Sequence, residues 1–169
     1  LLNQISRYLH QTLDIDELIP RIFAEVNKAI RAEAQSIWLV DEGAGTIKCR
    51  FATGPESETL EGFSISLAAS SIVGTSVSRK KSIIIRDAQN DPRRARSADE
   101  KTGFVTYSLM TVPLVLEGKS IGAIQAVNKR GGGLFDQADL DLFRLIADSA
   151  ALAVSNAQLV ADLQSSYDL

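Results

Sequence analysis

The sequence predicts an α+β fold: a central antiparallel β-sheet of about six strands, with N- and C-terminal helices packed on one face. Three observations predict it. Two pairs of β-rich segments are each joined by a short turn, as in antiparallel hairpins. Amphipathic helical periods occupy both ends of the chain. Hydrophobic residues make up 45% of 169, enough for one full core and too much for a disordered chain.

Leu2, Ile5, Leu9 and Leu13 recur at steps of three and four, giving a first helix with one apolar stripe. Asp14 or Asp16 then caps a second helix, whose buried face is Ile19, Ile22, Phe23, Val26 and Ile30. Pro20 is placed in its first turns, where a missing amide is tolerated. Ser36–Asp41 reads as a strand, Glu42–Gly45 as a turn and Thr46–Thr53 as the return strand. Gly54–Gly62 reads as a polar loop, Phe63–Leu67 as a short strand, Ala69–Arg79 as a short helix and Ser82–Ile85 as a buried strand. Asn90–Gly103 is long, polar and irregular, and such a connection in a small domain often serves function. Leu109–Leu116 and Lys119–Val127 form a hairpin around Glu117-Gly118, and Leu140–Leu163 is the last helix.

Composition narrows the function. Net charge is −3 and the sequence pI about 5.2, with no dominant basic face, so nucleic acid is a poor partner. Arg79, Lys80 and Lys81 read as a solvated helix end. One cysteine, Cys49, forms no internal disulfide, and with one histidine, His10, it makes no metal set. Gly131–Gly133 lacks the Gly-Lys-Ser/Thr of a phosphate loop and reads as a turn. No apolar run approaches the roughly 20 residues that span a bilayer. A cytoplasmic location, no cofactor and no catalysis are expected.

On the last helix, Leu145, Leu152 and Leu159 repeat every seven residues, while Phe143, Ile146, Ala150, Val154 and Ala157 form a second face. A helix with two apolar faces has two surfaces to bury. One suits the sheet and the other a second copy of the chain. The alternative is one wide core stripe. Residues 1–169 are read as one domain cut from a larger protein, with 1–14 and 158–169 as linker and dimerisation extensions.

Asn128-Lys129, a glycine-rich spacer, Phe135 and Asp139 resemble the signature of GAF domains, as found in cyclic-nucleotide phosphodiesterases and bacterial signalling proteins. The signature's final Glu is here Leu140. In that family the motif is structural, with Lys and Asp paired at the last strand–helix junction. The run from Ile83 to Val115 is similar to the family's strand, lid and following strand, with Asp87-Ala88, Pro92, Thr102-Gly103-Phe104, Thr106 and Pro113 in corresponding places. The resemblance implies a ligand pocket with a lid on the sheet face opposite the terminal helices.

Carried over residue by residue, it implies that Ser36 contacts a base and Phe51 stacks on it. The helix start at Ile72 and Val73 would offer amides to a phosphate. Asp99, Thr102 and Thr106 would be lid contacts, and Gln125 a contact on the last strand. Three positions depart: Ala52 and Gln125 stand where carboxylates are usual, and Ala95 where the lid carries an aromatic. Each lost hydrogen-bond partner in a buried site costs roughly 1–3 kcal/mol, which bears most on guanine selectivity.

Relatives that reduce methionine sulfoxide need several cysteines, bilin binders a lid cysteine and haem binders a pocket histidine; this sequence shows none of these. The resemblance implies a regulatory domain that binds a small molecule, a cyclic nucleotide among the candidates, pairs as a homodimer through its terminal helices and passes a signal to a C-terminal output domain. The alternative is a dimerisation and relay module with no working pocket. The tail Asn156–Leu169 is similar to linkers that precede HD-GYP domains in bacteria, though kinases or cyclases also follow such tails.

Overall fold

The computed structural model describes residues 14–55, 57–92 and 105–167. The first predicted helix, His10, and the lid positions Arg93 to Phe104, including Ala95, Asp99 and Thr102, lie outside the described residues.

Helix α1 is Ile15–Ala29. Asp14 caps it, its carboxylate accepting the Asp16 amide at 3.0 Å. Pro20 is the sixth residue of this helix, deeper than expected; its missing N–H falls in the intrahelical ladder, at the carbonyl of exposed Asp16. Strands β1 (Ala32–Asp41) and β2 (Thr46–Thr53) form the first hairpin. The loop that follows holds a one-turn helix, α2 (Ser57–Leu60), and leads to β3 (Ser64–Ser66). Helix α3 (Ile72–Arg79), β4 (Ile83–Ile85) and a 3₁₀ turn at Ala88–Asn90 come next. Strands β5 (Leu109–Leu116) and β6 (Lys119–Lys129) are followed by the 31-residue helix α4 (Gln137–Tyr167).

The six strands form one sheet in the order β3-β2-β1-β6-β5-β4, and every neighbouring pair is antiparallel. The β5–β6 turn uses Glu117 (φ 52°) and Gly118 (φ 78°), the two left-handed residues of a tight hairpin. Strand β1 begins four residues before the expected Ser36, because Ala32 and Ala34 pair with Lys129 and Val127. Gly122 on β6 has no room for a side chain, since a Cβ there would overlap the Trp38 carbonyl of β1.

The main core lies on the helix face. Leu18, Ile19, Ile22, Phe23 and Val26 of α1 and Phe143, Ile146, Ala147, Ala150 and Val154 of α4 cover Ile37, Met110, Val112, Leu114 and Ile124. The alanines of α4 let it lie close to its neighbours. Its other face stays in solvent: Leu145, Leu152 and Leu159 are 53%, 41% and 57% exposed. The two apolar faces expected for this helix are therefore both present, and among the described residues only one is covered. A second, smaller core on the opposite sheet face joins Trp38, Ile47, Cys49, Ala52, Ile65 and Ala123 to Val73 and Val77 of α3.

Candidate functional site

Cross-strand partners share a sheet face. The register therefore aligns Ala52, Ser36, Gln125, Thr111 and Ile83 in one row across β2, β1, β6, β5 and β4. This row lies on the face covered by α3, opposite the terminal helices. Its centre is polar. Ser36 and Thr111 are buried, and Gln125 is half-buried. Ser36 Oγ accepts the Trp38 indole N–H at 2.9 Å, and Gln125 Nε2 donates to Thr111 Oγ1 at 2.8 Å. Each group keeps unspent capacity: the Ser36 and Thr111 hydroxyls can each still donate, and Gln125 Oε1 can still accept.

Helix α3 lies over this face. Its Ile72 packs with Ile85, Ala88 and Leu109, and Val73 with Trp38 and Cys49. Both side chains are core residues, so any ligand contact from them comes through backbone amides. Ser71 caps the helix by accepting the Gly74 amide at 3.0 Å, and the amides of Ile72 and Val73 have no acceptor in the helix by position.

The two ends of the lid are tied together. Ala88 N donates to Tyr107 O at 3.0 Å, and Gln89 Nε2 donates to Thr106 O at 2.6 Å. Thr106 is buried at this root. Asn128 locks the exit. Its Oδ1 accepts the amides of Tyr107 (2.8 Å) and Ser108 (3.1 Å), and its Nδ2 donates to Val105 O (2.8 Å) and Glu33 Oε2 (3.1 Å). It does so from a left-handed backbone, φ 56°, which Asn adopts more readily than most residues.

Lys129 Nζ meets Asp139 Oδ2 at 2.7 Å. The same oxygen accepts the Asp136 amide at 2.9 Å, while Asp136 Oδ1 accepts the Asp139 amide at 2.8 Å. This reciprocal pair caps α4, so Lys129 fastens β6 to a capping box. Phe135 is buried beneath it in the helix-face core. Partial burial alone would raise the Asp139 pKa, but the hydrogen bond from Lys129, the Asp136 amide and the Lys129 charge outweigh it and hold the carboxyl below its ordinary 3.8. The hydrogen bond to Asp139 raises the Lys129 pKa above 10.5. The carboxylate's contribution to stability is therefore present above pH 3.8 and lost as pH falls through the depressed folded value. The ammonium's is present below pH 10.5 and lost as pH rises through the raised one. Asp139→Asn is expected to lose less of its remaining stability than the wild type between about pH 6 and about pH 2.5, measured by urea unfolding. Equal losses would contradict this.

Phe51 is a correction. It turns to the helix face, with its ring 5.7 Å from that of Phe23, and does not join Ser36 and Gln125. The cause is a β-bulge: Ile37 pairs with Phe51 and Trp38 with Cys49, leaving Arg50 as the extra residue. Arg50 is drawn toward α1 by Asp16, at 2.8 Å. Among the expected ligand contacts, the structure groups Ser36, Gln125 and α3 on one face, with Thr106 at the lid root. Thr111, Trp38, Glu33 and Asp136 belong to this network and were not singled out from sequence. Only Asp136 had a readable signal, as the partner of Asp139 three residues on.

Burial, then the charge of Glu61, push the Cys49 thiol up to about 12 despite its contact with the Phe51 carbonyl, so it is protonated and a poor nucleophile. Among the described residues no three His, Cys, Asp or Glu side chains cluster to hold a metal, and no helix is long and apolar enough to cross a membrane.

Comparison with known proteins agrees with this architecture. The chain is 29% identical over 168 residues, 94% of its length, to the probable 3',5'-cyclic phosphodiesterase pde-5 of Caenorhabditis elegans, and 28% identical over 177 residues to the cGMP-specific 3',5'-cyclic phosphodiesterase of Drosophila sechellia. It spans only 23% and 14% of those two proteins. In structure it resembles the GAF domain of the Acinetobacter phosphoenolpyruvate-protein phosphotransferase, with a TM-score of 0.77 at 19% identity, covering 95% of this chain and 94% of that one. The family model described as GAF domain matches residues 12–155, and the chain belongs to that family.

Proposed function

We propose that this chain is a non-catalytic sensory domain that binds a small molecule, a cyclic nucleotide being the first class to test, between the polar row of the sheet and α3. The observation that carries this is the unspent hydrogen-bonding capacity of Ser36, Thr111 and Gln125 on a largely buried sheet face beside a pinned lid root. Buried polar groups usually find partners, and a ligand supplies them here. Thr106, at the lid root, is the family lid contact that falls among the described residues, and it borders the same site. Gln125 offers a carbonyl acceptor where the family often has a carboxylate, so an amino group on the ligand still has a partner, more weakly held.

The test is thermal unfolding with cAMP, cGMP, cyclic di-GMP and a metabolite panel. A ligand at about 100 times its Kd adds roughly 2.7 kcal/mol, or about 5–10 °C for a domain of this size. One compound is expected to give such a shift, and Gln125→Leu and Ser36→Ala are expected to shrink it. A shift unchanged in both variants would remove the ligand from this face.

A second reading, signal relay by pairing alone, draws on the exposed stripe of α4. Leu145, Leu152 and Leu159 recur every seven residues, and Asn156 and Leu163 fall at the alternate seam positions. A lone Asn at such a position favours a parallel, in-register pair. The two readings are compatible: paired α4 helices would carry a ligand-induced change towards an output domain. Leu152→Glu is expected to turn a dimer into a monomer by light scattering while leaving the melting temperature of the monomer within about 2 °C. A wild type that is already monomeric at high concentration would dismiss the pairing.

A further inference from the structure

A groove opens at the edge of the sheet, beyond the Ile83 end of the polar row. It encloses about 530 Å³ between the α3–β4 turn, the middle of β5 and the first turns of α4. Lys80 and Lys81 stand on one wall and Arg144 on the other, with Pro113 and Leu140 between them. Among the described residues Asp148 is the only acidic side chain lining it. None of the three cations has a carboxylate within ion-pair distance among the described residues. A smaller hollow of about 290 Å³ adjoins it through Lys81 and adds Arg79. This concentration of positive charge sits in a chain of net charge −3. All four cations are exposed, so water screens their mutual repulsion, and they stand ready for an anion that enters the groove.

Lys80 is unusual in its backbone as well. It ends α3 in the left-handed conformation, φ 54°, a position that usually takes glycine or asparagine. A lysine there bears backbone strain. A positive charge at a helix C-terminus recovers part of that cost, but Arg79 already occupies the last turn.

From these observations we infer that the groove is a second ligand site, separate from the α3-covered face, for a nucleoside polyphosphate. Lys80, Lys81 and Arg144 hold the phosphates, the guanidinium in the two-pronged geometry suited to phosphate oxygens. Half-buried Val115, above the buried Pro113 and Leu140, offers apolar surface to the nucleoside. The volume falls within the range of small-molecule sites. Pro113 has no amide proton, which weighs against an added peptide strand along this edge. An occupant would bridge the end of α3 to α4, and so tie the helix over the polar row to the long C-terminal helix.

The experiment is calorimetric titration of the whole chain with ATP and with tripolyphosphate, both in EDTA. Saturable binding with Kd at or below about 1 mM is expected, with ATP tighter than tripolyphosphate. Arg144→Glu and Lys81→Glu are each expected to weaken it about tenfold or more. Arg144→Gln, a milder change on an exposed side chain, is expected to weaken it in the same direction and guards against a folding defect. Gln125→Leu is expected to leave it unchanged, which separates this site from the polar row. No saturable binding, wild-type affinity in both charge reversals, or loss of binding in Gln125→Leu would each overturn the assignment. Equal affinity for ATP and tripolyphosphate would overturn the nucleoside part of it.

Discussion

Replacing Asn128 with alanine is expected to destabilise the domain by about 3–5 kcal/mol, a loss at the upper end for a single substitution. The side chain is buried and makes four hydrogen bonds, three of them to backbone groups of 105–108. Removing it strands the Tyr107 and Ser108 amides and the Val105 carbonyl, each at a cost of about 1–3 kcal/mol where water cannot reach. Alanine would also have to hold φ 56°, which adds about 1–2 kcal/mol. Glycine at this position removes the same bonds without that strain. Asn128→Gly is therefore expected to be more stable than Asn128→Ala by about 1 kcal/mol in urea unfolding. Equal stability of the two variants would mean that backbone strain contributes nothing. Because these bonds fix where the lid rejoins the sheet, both variants are also expected to speed amide exchange at Tyr107 and Ser108.

The second large effect is expected at Phe143. Its ring is fully buried where α4 meets the sheet and α1. Truncation to alanine removes that apolar contact and leaves a cavity that the surrounding alanines of α4 cannot fill, a loss of about 3–5 kcal/mol. Leu145, two residues away and 53% exposed, is expected to lose under about 0.5 kcal/mol on the same change in the monomer. Urea midpoints of the two variants measure the contrast. Comparable losses would mean that α4 docks on the sheet through a different face.

The contrast between these faces was legible in the sequence, because helical period separates Phe143, Ile146, Ala150 and Val154 from Leu145, Leu152 and Leu159. The hairpins were legible for a related reason: Glu117-Gly118 and Glu42–Gly45 interrupt β-rich runs with turn residues. The beginning of β1 was not. Ala32-Glu33-Ala34-Gln35 has little β preference, and its extended form is set by pairing with β6. Pairing of this kind joins residues distant in sequence and leaves no local pattern.

The site divides in the same way. Lys129 and Asp139 were readable from the motif, and their ion pair is present. Ser36 and Gln125 were expected to share a face, and the register aligns them. Thr111, which occupies Gln125, looked like any strand residue. Phe51 followed the alternation of Ile47 and Cys49, which would have placed all three on the α3 side. One extra residue at Arg50 reverses that phase, and an isolated strand gives no sign of a bulge that depends on its partner.

A small molecule bound on the sheet face under α3 would shield the amides that line that face. The measurement that tests this most directly is amide hydrogen exchange of the whole chain with and without the nucleotide that gives the largest thermal shift. Added protection is expected at Ile72, Val73 and Gly74 and at Tyr107 and Ser108, with α1 unchanged. Protection confined to Lys80–Ser82 and the start of α4, or spread evenly over every element, would contradict binding on that face.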